Sequence, residues 1–322
     1  MQKRYDVLTF GETMIRLAPP RWQRLEQAES LEVAVGGAES NVAVALSRLG
    51  LKTAWVSRLT DNPLGHRIAQ TLRAHGVDVS HVIWTPAGRV GTYLVEFGQP
   101  PRATTVIYDR RGSAMSEMTL GDFNLTLLDE ARLLHVSGIT PALSPACRAL
   151  AEGVLRMAAE RGVLRSFDVN YRAKLWSADE ARAALEPMCV GVDVLFVTRQ
   201  DAQRLFERQS DAPETLRWLQ ARFNVGVAVM TMGKEGAMAL DRDGCFYKGQ
   251  AEPTPEVDPL GSGDAFAAGF LFGYLTDGNL ASALQLGASA AALKRTIPGD
   301  LALISLEDLR QVTDQNEGQI RR

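Results

Sequence analysis

Apolar residues along the chain fall into short continuous runs typical of buried strands and longer stretches with helical spacing. From residue 132 onward the two patterns alternate regularly. They predict the strands Leu133–Ser137, Leu164–Val169, Val192–Thr198 and Val225–Thr231 and the helices Pro145–Arg161, Ala178–Cys189, Asp201–Glu207 and Pro213–Phe223. Such alternation predicts an α/β fold with a mostly parallel sheet sandwiched by helices, in which ligands bind beyond the carboxyl ends of the strands.

The N-terminal part of the chain follows the same pattern except in one segment. The predicted elements there are the strands Asp6–Phe10, Leu31–Val35 and Thr53–Ser57 and the helices Ser40–Leu49 and Gly65–His75. Residues 81–110 instead contain the short β-rich runs Val82–Thr85, Thr92–Phe97 and Thr104–Tyr108, which predict a small inserted antiparallel sheet. A β-rich stretch at 236–248 and the helices Gly263–Leu275 and Leu280–Arg295 complete the pattern.

Composition narrows the class of protein. The 322 residues are 46% apolar, which is enough for one large α/β domain, and the net charge of -3 with no basic block argues against a nucleic-acid partner. Cys147, Cys189 and Cys245 lie far apart, a spacing that predicts reduced thiols. The most apolar segment, Ala265–Leu275, is about half the length of a membrane span. We therefore expect a cytoplasmic protein that contacts no membrane.

The candidate catalytic residue is Asp264, in the segment Gly261-Ser-Gly-Asp264 that precedes an apolar helix. Gly261 and Gly263 let the backbone turn tightly and leave amide groups at the helix start for an anion. A carboxylate there would repel a phosphate, but it suits a general base that takes the proton of an attacking hydroxyl. The alternative is an ordinary acidic residue favoured by the dipole in a first helical turn.

Two familiar nucleotide-binding motifs are excluded. The Rossmann fingerprint needs Gly or Ala where Phe266 stands, and the Walker sequence needs Ser or Thr where Glu235 follows Lys234. The glycine turn Thr231–Gly236 follows an apolar strand and is a candidate cover for a nucleotide, with Lys234 near the phosphates. A purely structural β-turn is the alternative interpretation.

Two segments together resemble the signatures of the ribokinase (PfkB-type) carbohydrate kinases. They are Gly36-Gly37-Ala38-Glu39-Ser40-Asn41 and Asp258-Pro-Leu-Gly-Ser-Gly-Asp264, and their order and separation are similar to that family over essentially the whole chain. The resemblance implies a ribokinase-like, Rossmann-like core at 1–12, 38–88 and 112–322. It also implies a β lid over the sugar at 13–37 and 89–111, and a homo-oligomer, since members often dimerise through their lids.

The same resemblance implies where the cofactors bind. ATP would lie near Thr231, Gly233, Lys234 and Gly236 and against Gly261, Ser262 and Gly263, with magnesium and optionally a monovalent cation. Asp264 would be the base, and the amides of Gly261 and Gly263 would stabilise the transferring group. Many members carry Asn-x-x-Glu where this chain has Thr198-Arg-Gln-Asp201. Asp201 is a candidate magnesium ligand through water, or else a helix-start residue.

Three arginines favour an acidic sugar as the substrate. Family kinases of neutral sugars usually place an Asp on the first lid strand, where this chain has Arg16. Arg110 and Arg172 add guanidinium groups that match planar carboxylates. The segments around them, with Ser137–Ser144, resemble 2-keto-3-deoxygluconate kinases. That resemblance implies a sugar pocket formed by Gly37, Asn41, Tyr93, Tyr108, Arg110, Asn170, Arg172 and Asp264, with Asp300 at its far end.

Each of these residues also has a structural interpretation. An arginine is commonly a solvated surface charge, and Tyr93 and Tyr108 fit strand positions that pack on the lid. Asn41 fits a helix-start position, and Ser40 is a competent N-cap.

The activity that follows is transfer of the ATP γ-phosphoryl group to a primary hydroxyl of a sugar acid, with 2-keto-3-deoxygluconate and its 6-phosphate as the expected pair. Three alternatives stay open: a fructokinase or other hexose kinase on the same fold, a catalytically silent sugar-binding sensor, and a nicotinamide-dependent oxidoreductase. The intact Gly-Ser-Gly-Asp segment argues against the sensor, and the missing fingerprint argues against the oxidoreductase.

Overall fold

A computed structural model describes residues 3–313, so residues 1–2 and 314–322 of the predicted core segments lie outside the described part. The strands are Tyr5–Phe10 (β1), Met14–Ala18 (β2), Glu32–Gly36 (β3), Thr53–Val56 (β4), Arg58–Thr60 (β5), Ile83–Thr85 (β6), Thr92–Glu96 (β7), Thr105–Asp109 (β8), Ala131–Ser137 (β9), Leu164–Asp168 (β10), Val194–Thr198 (β11), Val227–Thr231 (β12), Ala237–Asp241 (β13) and Phe246–Gly249 (β14).

The helices alternate with these strands over most of the chain. They are Ala38–Arg48 (α1), Pro63–Ala74 (α2), Thr126–Glu130 (α3), Ile139–Ala142 (α4), Pro145–Glu160 (α5), Ala178–Cys189 (α6), Arg199–Phe206 (α7), Ala212–Phe223 (α8), Ser262–Thr276 (α9), Leu280–Arg295 (α10) and Leu306–Thr313 (α11). None of the helices in residues 3–313 is long and apolar enough to cross a bilayer.

The large sheet confirms the predicted α/β architecture. Its eight strands run in the order β14-β13-β12-β11-β10-β9-β1-β4, and the pairs from β4 through β12 are parallel, whereas β13 and β14 are antiparallel. The central strands are apolar on both faces because helices cover both faces. Helix α9 is apolar on all sides because it is buried between the sheet, α1 and α10.

The predicted small antiparallel sheet is present and has four strands in the order β3-β2-β7-β8. The β2–β3 and β7–β8 pairs are antiparallel, and a parallel β2–β7 pair joins them. The placement of Val82–Thr85 in this sheet was wrong, because Ile83–Thr85 pairs with Arg58–Thr60 in a separate two-stranded sheet. We call the four-stranded sheet the lid sheet.

The apolar pattern did not predict five elements, which are the strands β2 and β5 and the helices α3, α4 and α11. Strand β2 carries Arg16 at its centre, which breaks the apolar run, and α11 has only three apolar residues among its eight. The helix starts also differ by a few residues from the prediction: α2 begins at Pro63 because Asn62 caps it, and α7 begins at Arg199 because Thr198 caps it.

The carboxyl ends of the central parallel strands meet along one edge. Ser137, Asp168, Thr198 and Thr231 end β9, β10, β11 and β12, and Asp168 is in register with Ser137 as Thr198 is with Thr231. These four polar residues therefore share one edge of the sheet.

Candidate active site

The start of α9 has the features of an anion site. Its N-cap, Gly261, has a left-handed backbone (φ 80°), and no side chain caps the helix. The Ser262 amide donates to the carbonyl oxygen of Pro259 at 3.2 Å, so the amides of Gly263 and Asp264 are the ones left for another partner in the described structure. A Cβ at Gly261 would stand 2.0 Å from the carbonyl oxygen of Asp300, whereas a Cβ at Gly263 would meet nothing within 4 Å. Glycine is therefore required at 261 by backbone and space, and Gly263 borders open space.

Asp264 lies in the first turn of α9 and is held by α1. Its Oδ2 accepts a hydrogen bond of 2.7 Å from Nδ2 of Asn41. Because α1 begins at Ala38 with Gly37 as its N-cap, neither Ser40 nor Asn41 caps this helix. The Oδ1 of Asn41 accepts a 3.3 Å hydrogen bond from the Gly37 N–H, which supports its interpretation as a helix-start residue, and its Nδ2 connects α1 to the candidate base.

The environment of Asp264 makes it more basic than an ordinary carboxylate. Burial raises its pKa to about 6, and the nearby Asp300 carboxylate acts in the same direction. The hydrogen bond from Asn41 and the positive charge of Arg172 oppose the shift. At neutral pH the group is largely deprotonated yet holds a proton more readily than a solvated Asp, as a general base requires.

A narrow pocket of about 80 Å³ brings most of the predicted sugar-site residues together between the lid sheet and the large sheet. The predicted residues that line it are Gly37, Asn41, Tyr93, Tyr108, Arg110, Arg172, Gly261, Asp264 and Asp300. Tyr108, Arg110 and Arg172 also line an adjoining cavity of about 500 Å³. The candidate base and two guanidinium groups thus face one connected space.

A match to a known family accompanies this geometry. Residues 4–305, nearly the whole chain, match the family described as "pfkB family carbohydrate kinase". The chain belongs to this family.

Relatives of this carbohydrate kinase cover almost its full length. The 2-dehydro-3-deoxygalactonokinase of Haloferax volcanii is 43% identical over 95% of this chain and 96% of its own. The 2-dehydro-3-deoxygluconokinase of Thermoproteus tenax is 33% identical over 92% of this chain and 90% of its own. The crystal structure of 2-dehydro-3-deoxygluconokinase from Thermotoga maritima superposes with a TM-score of 0.92 at 33% identity and covers 96% of this chain and 99% of its own.

Arg110 is oriented by a residue that the sequence analysis did not single out. Glu12 is buried just after β1, and its Oε2 accepts a 2.7 Å hydrogen bond from Nε of Arg110. Oε1 of Glu12 is buried without a partner in the described structure. The signal for Glu12 was its position, because it follows an apolar strand as Asp168 and Thr198 do.

Arg172 has no ion pair within residues 3–313 and lines both cavities, so its guanidinium group is available to a ligand. Its positive charge also acts on Asp168, whose pKa burial raises to about 8, with further increases from Asp264 and Asp201. Arg172 opposes these increases. The positive charge of Arg172 therefore opposes the rise in pKa of several carboxyl groups below the pocket.

Two predicted sugar contacts lie elsewhere in this carbohydrate kinase. Asn170 has a left-handed backbone (φ 38°) and directs its amide toward Asp168, and it lines neither cavity. Arg16 is almost fully buried, and its two terminal nitrogens donate to Asp258 and Asp300. Because those carboxylates occupy the fork, this geometry does not support a direct grip of Arg16 on a substrate carboxylate.

Asp201 is buried in the first turn of α7, where its N–H donates to the Thr198 hydroxyl at 2.9 Å. Burial raises its pKa and the charge of Arg172 opposes this. The helix-start interpretation is therefore correct for its backbone. In the part of the chain that the structure describes, no group of three His, Cys, Asp or Glu side chains is placed to hold a metal directly. A water-mediated role of Asp201 stays a prediction.

The turn Thr231–Gly236 connects β12 to the antiparallel β13. Gly236 has a positive φ of 88°, and a Cβ there would stand 2.1 Å from the carbonyl oxygen of Gly249, so this glycine has a structural role. Glu235 forms an ion pair with Arg199, whereas Lys234 is exposed. The turn thus has a structural role in connecting two strands of the sheet, and it places the Lys234 side chain beside the carboxyl edge.

Proposed function

We propose that this carbohydrate kinase transfers the γ-phosphoryl group of ATP to the primary 6-hydroxyl of a 2-keto-3-deoxy sugar acid. The gluconate-derived acid is the proposed substrate, and the galactonate-derived epimer is a second one favoured by the name of the 43% identical relative. One observation carries the proposal: Asp264, Arg110 and Arg172 line the same pocket. A base and two carboxylate-binding groups together suit an alcohol that carries a carboxylate.

Asp264 is the proposed base. With a pKa of about 6 it takes the hydroxyl proton at neutral pH, and the 2.7 Å hydrogen bond from Asn41 orients the carboxylate. Such proton transfer contributes about 10²- to 10⁴-fold to a rate. Asp264 is therefore the residue with the largest expected effect on kcat.

Arg110 and Arg172 are proposed to bind the carboxylate of the sugar. Glu12 holds the Nε side of Arg110, and Arg172 has no ion pair in residues 3–313. Tyr93 and Tyr108 stack with ring centroids 5.8 Å apart and complete the lid side of the pocket. Held at its acid end, the sugar presents a hydroxyl to Asp264 in a fixed orientation, which converts binding energy into rate.

The residues present fit a nucleotide. The uncapped start of α9 with the open space beside Gly263 would hold phosphate oxygens, and the turn Thr231–Gly236 with Lys234 would lie along the same edge. When bound, ATP with magnesium supplies the phosphoryl group and neutralises the charge that spreads over it. Asp201 is the proposed contact to magnesium through water.

The test is a phosphorylation panel with the full-length protein and coupled ADP detection. The panel contains both 2-keto-3-deoxy acids, fructose and ribose. We expect kcat/KM for an acid to exceed that for either neutral sugar by about 10²-fold, because Arg172 would otherwise stay unpaired in the pocket and Arg110 would keep Glu12 as its partner. A preference for fructose would replace the proposal with a hexose kinase, and an absence of ATP turnover would favour a sugar-binding sensor.

Replacement of Arg110 tests the acid end of the pocket. Arg110→Ala should raise KM for the sugar acid about 10- to 100-fold, because a charge-assisted hydrogen bond is lost, and should change kcat less. Since this substitution leaves Glu12 unpaired, the double variant Arg110→Ala/Glu12→Gln controls for the unpaired charge. A KM that stays at the wild-type value in both variants would remove Arg110 from the substrate site.

A further inference from the structure

Arg16 links the lid sheet to two loops beside the base. It lies at the centre of β2, with a side chain only 4% exposed. Its Nη2 donates to Oδ2 of Asp258 at 2.6 Å and its Nη1 donates to Oδ1 of Asp300 at 2.5 Å. The two carboxylates are 242 and 284 residues away in the chain. One guanidinium group thus bridges three segments that are remote in sequence.

Asp258 organises the loop that leads to α9. Its carboxylate, fully buried, also accepts hydrogen bonds from the amides of Leu260 at 3.1 Å and Gly299 at 2.9 Å. Lys294, buried as well, donates to the carbonyl oxygens of Asp258 at 3.0 Å and Ile297 at 3.1 Å. These contacts tie the loop 258–261 to the loop 297–300.

Asp300 connects the same network to the sugar pocket. It lines the pocket, whereas Arg16 does not. A Cβ added to Gly36 would stand 2.4 Å from the Tyr93 hydroxyl and 2.7 Å from the Asp300 carboxylate, so the lid strands and Asp300 meet at this point. The backbone of Asp300 is also in contact with Gly261. Movement of Asp300 would therefore change both the shape of the sugar pocket and the position of the start of α9.

We propose that Arg16 is a positioning residue for phosphoryl transfer, which holds the Gly261–Asp264 loop and the Asp300 carboxylate in place relative to the lid. The inference rests on the proposed function and adds a residue that acts without touching substrate. The planar fork of arginine suits this role because it serves two carboxylates at once, whereas a lysine offers a single point charge. Removal of one partner from a buried ion pair leaves an uncompensated charge, so Arg16, Asp258 and Asp300 stabilise one another.

The role predicts a distinctive kinetic pattern. A residue that binds the substrate carboxylate affects KM for acids and leaves neutral sugars unchanged. A positioning residue lowers kcat for every sugar that the enzyme accepts, because the base and the phosphate loop are displaced for all of them. An ångström-scale displacement costs about 10²-fold in rate.

The experiment compares Arg16→Met, Arg16→Lys and the double variant Arg16→Met/Asp258→Asn with the control Arg89→Met. Arg89 forms an exposed ion pair with Asp109 in the lid, so its loss should change kcat by less than about twofold. Arg16→Met should lower kcat about 100-fold on acidic and neutral sugars alike. The kcat of Arg16→Lys should lie between that of Arg16→Met and that of the wild type. The double variant removes one of the two carboxylates that Arg16→Met leaves unpaired, so its melting temperature should recover in part while kcat stays low.

Hydrogen exchange of the same proteins gives a readout that does not depend on turnover. Peptides from 258–264 and 297–301 should exchange faster in Arg16→Met than in the wild type or Arg89→Met. Unchanged exchange in both loops would overturn the inference. So would a double variant in which kcat recovers with the melting temperature, or an Arg16→Met variant in which only KM for acids rises. A wild type that phosphorylates no sugar would refute the proposed function, whereas the exchange comparison would still decide the role of Arg16.

Discussion

At the residue scale, the chemistry of the pocket depends on carboxylates that share the charge of Arg172. Burial raises the pKa values of Asp264, Asp168 and Asp201, and Arg172 opposes all three increases. The pKa is raised to about 6 for Asp264 and about 8 for Asp168. At pH 7 the first is mainly ionised and the second mainly protonated. Environments that separate pKa values in this way let neighbouring carboxyl groups have different roles.

Removing the carboxylate of Asp264 should abolish most turnover. Asp264→Asn is expected to lower kcat about 10³-fold, because the amide accepts no proton, while KM for ATP stays within about twofold. Steady-state kinetics with the sugar acid measure both values. Asp277→Asn, at the exposed far end of α9, is the matched control. Near-normal turnover in Asp264→Asn would remove the base from the mechanism.

The pH dependence of kcat follows from the raised pKa of Asp264. The base works only when deprotonated, so kcat should be retained above about pH 6 and lost as the pH falls through that value. Arg172→Ala removes a charge that lowers the pKa of Asp264, so its acidic limb should move to higher pH. Rate profiles of wild type and Arg172→Ala measure the shift. A limb at the same pH in both would show that Arg172 has no electrostatic effect on the base.

At the scale of elements, the site is built where strands end and helices begin. Asp168, Thr198 and Thr231 end adjacent parallel strands, and α9 begins beside them with an uncapped first turn. Helix α1 contributes Asn41 from its own first turn. Backbone amides at helix starts and polar residues at strand ends thus meet at one edge, as in other open α/β sheets.

The two glycines that flank Ser262 should respond differently to an added methyl group. Gly261→Ala would place Cβ against the Asp300 carbonyl and strain a positive φ, so both melting temperature and kcat should fall. Gly263→Ala meets no protein atom within 4 Å, so its melting temperature should stay close to that of the wild type. Its methyl group would enter the proposed phosphate space, so KM for ATP should rise. If Gly263→Ala binds ATP normally, the phosphate site lies elsewhere.

At the scale of the whole molecule, the lid sheet has two different faces. Arg16, Tyr93 and Tyr108 are in register on the face toward the pocket. Val33, Leu17, Leu94 and Ile107 form a row across the opposite face. Val33 is 41% and Ile107 is 49% exposed, whereas Leu17 and Leu94 are half-buried and Leu17 packs against a core cluster, so the two ends of the row form the exposed apolar surface. An exposed apolar patch of this kind commonly marks a protein interface.

The predicted self-association through lids can be tested on this row. Ile107→Glu should shift the protein toward monomer in light scattering coupled to size exclusion, because a charge at the centre of an apolar interface is costly to bury. Leu303→Glu changes a residue that is 38% exposed outside the lid and should leave the mass unchanged. A monomeric wild type, or an equal effect of both substitutions, would contradict association through the lid.

The sequence by itself determined the α/β alternation, most helices and strands, and the two family motifs at 36–41 and 258–264. Apolar runs and helical spacing are local signals, and each is set by burial on one or two faces of its own element. The Gly261–Asp264 segment was visible for the same reason, since tight turns and helix starts need particular residues at particular positions. Boundaries shifted where a cap such as Asn62 lay just outside the apolar pattern.

Tertiary structure alone decided which charged side chains meet. Arg16 was predicted to face a substrate, yet it binds Asp258 and Asp300, and Glu12 was not singled out although it holds Arg110. The pKa of Asp264 depends in the same way on Asn41, Arg172 and Asp300. These partners are far apart in the chain, and charge interactions depend on distance and burial in space, so no local pattern of residues encodes them.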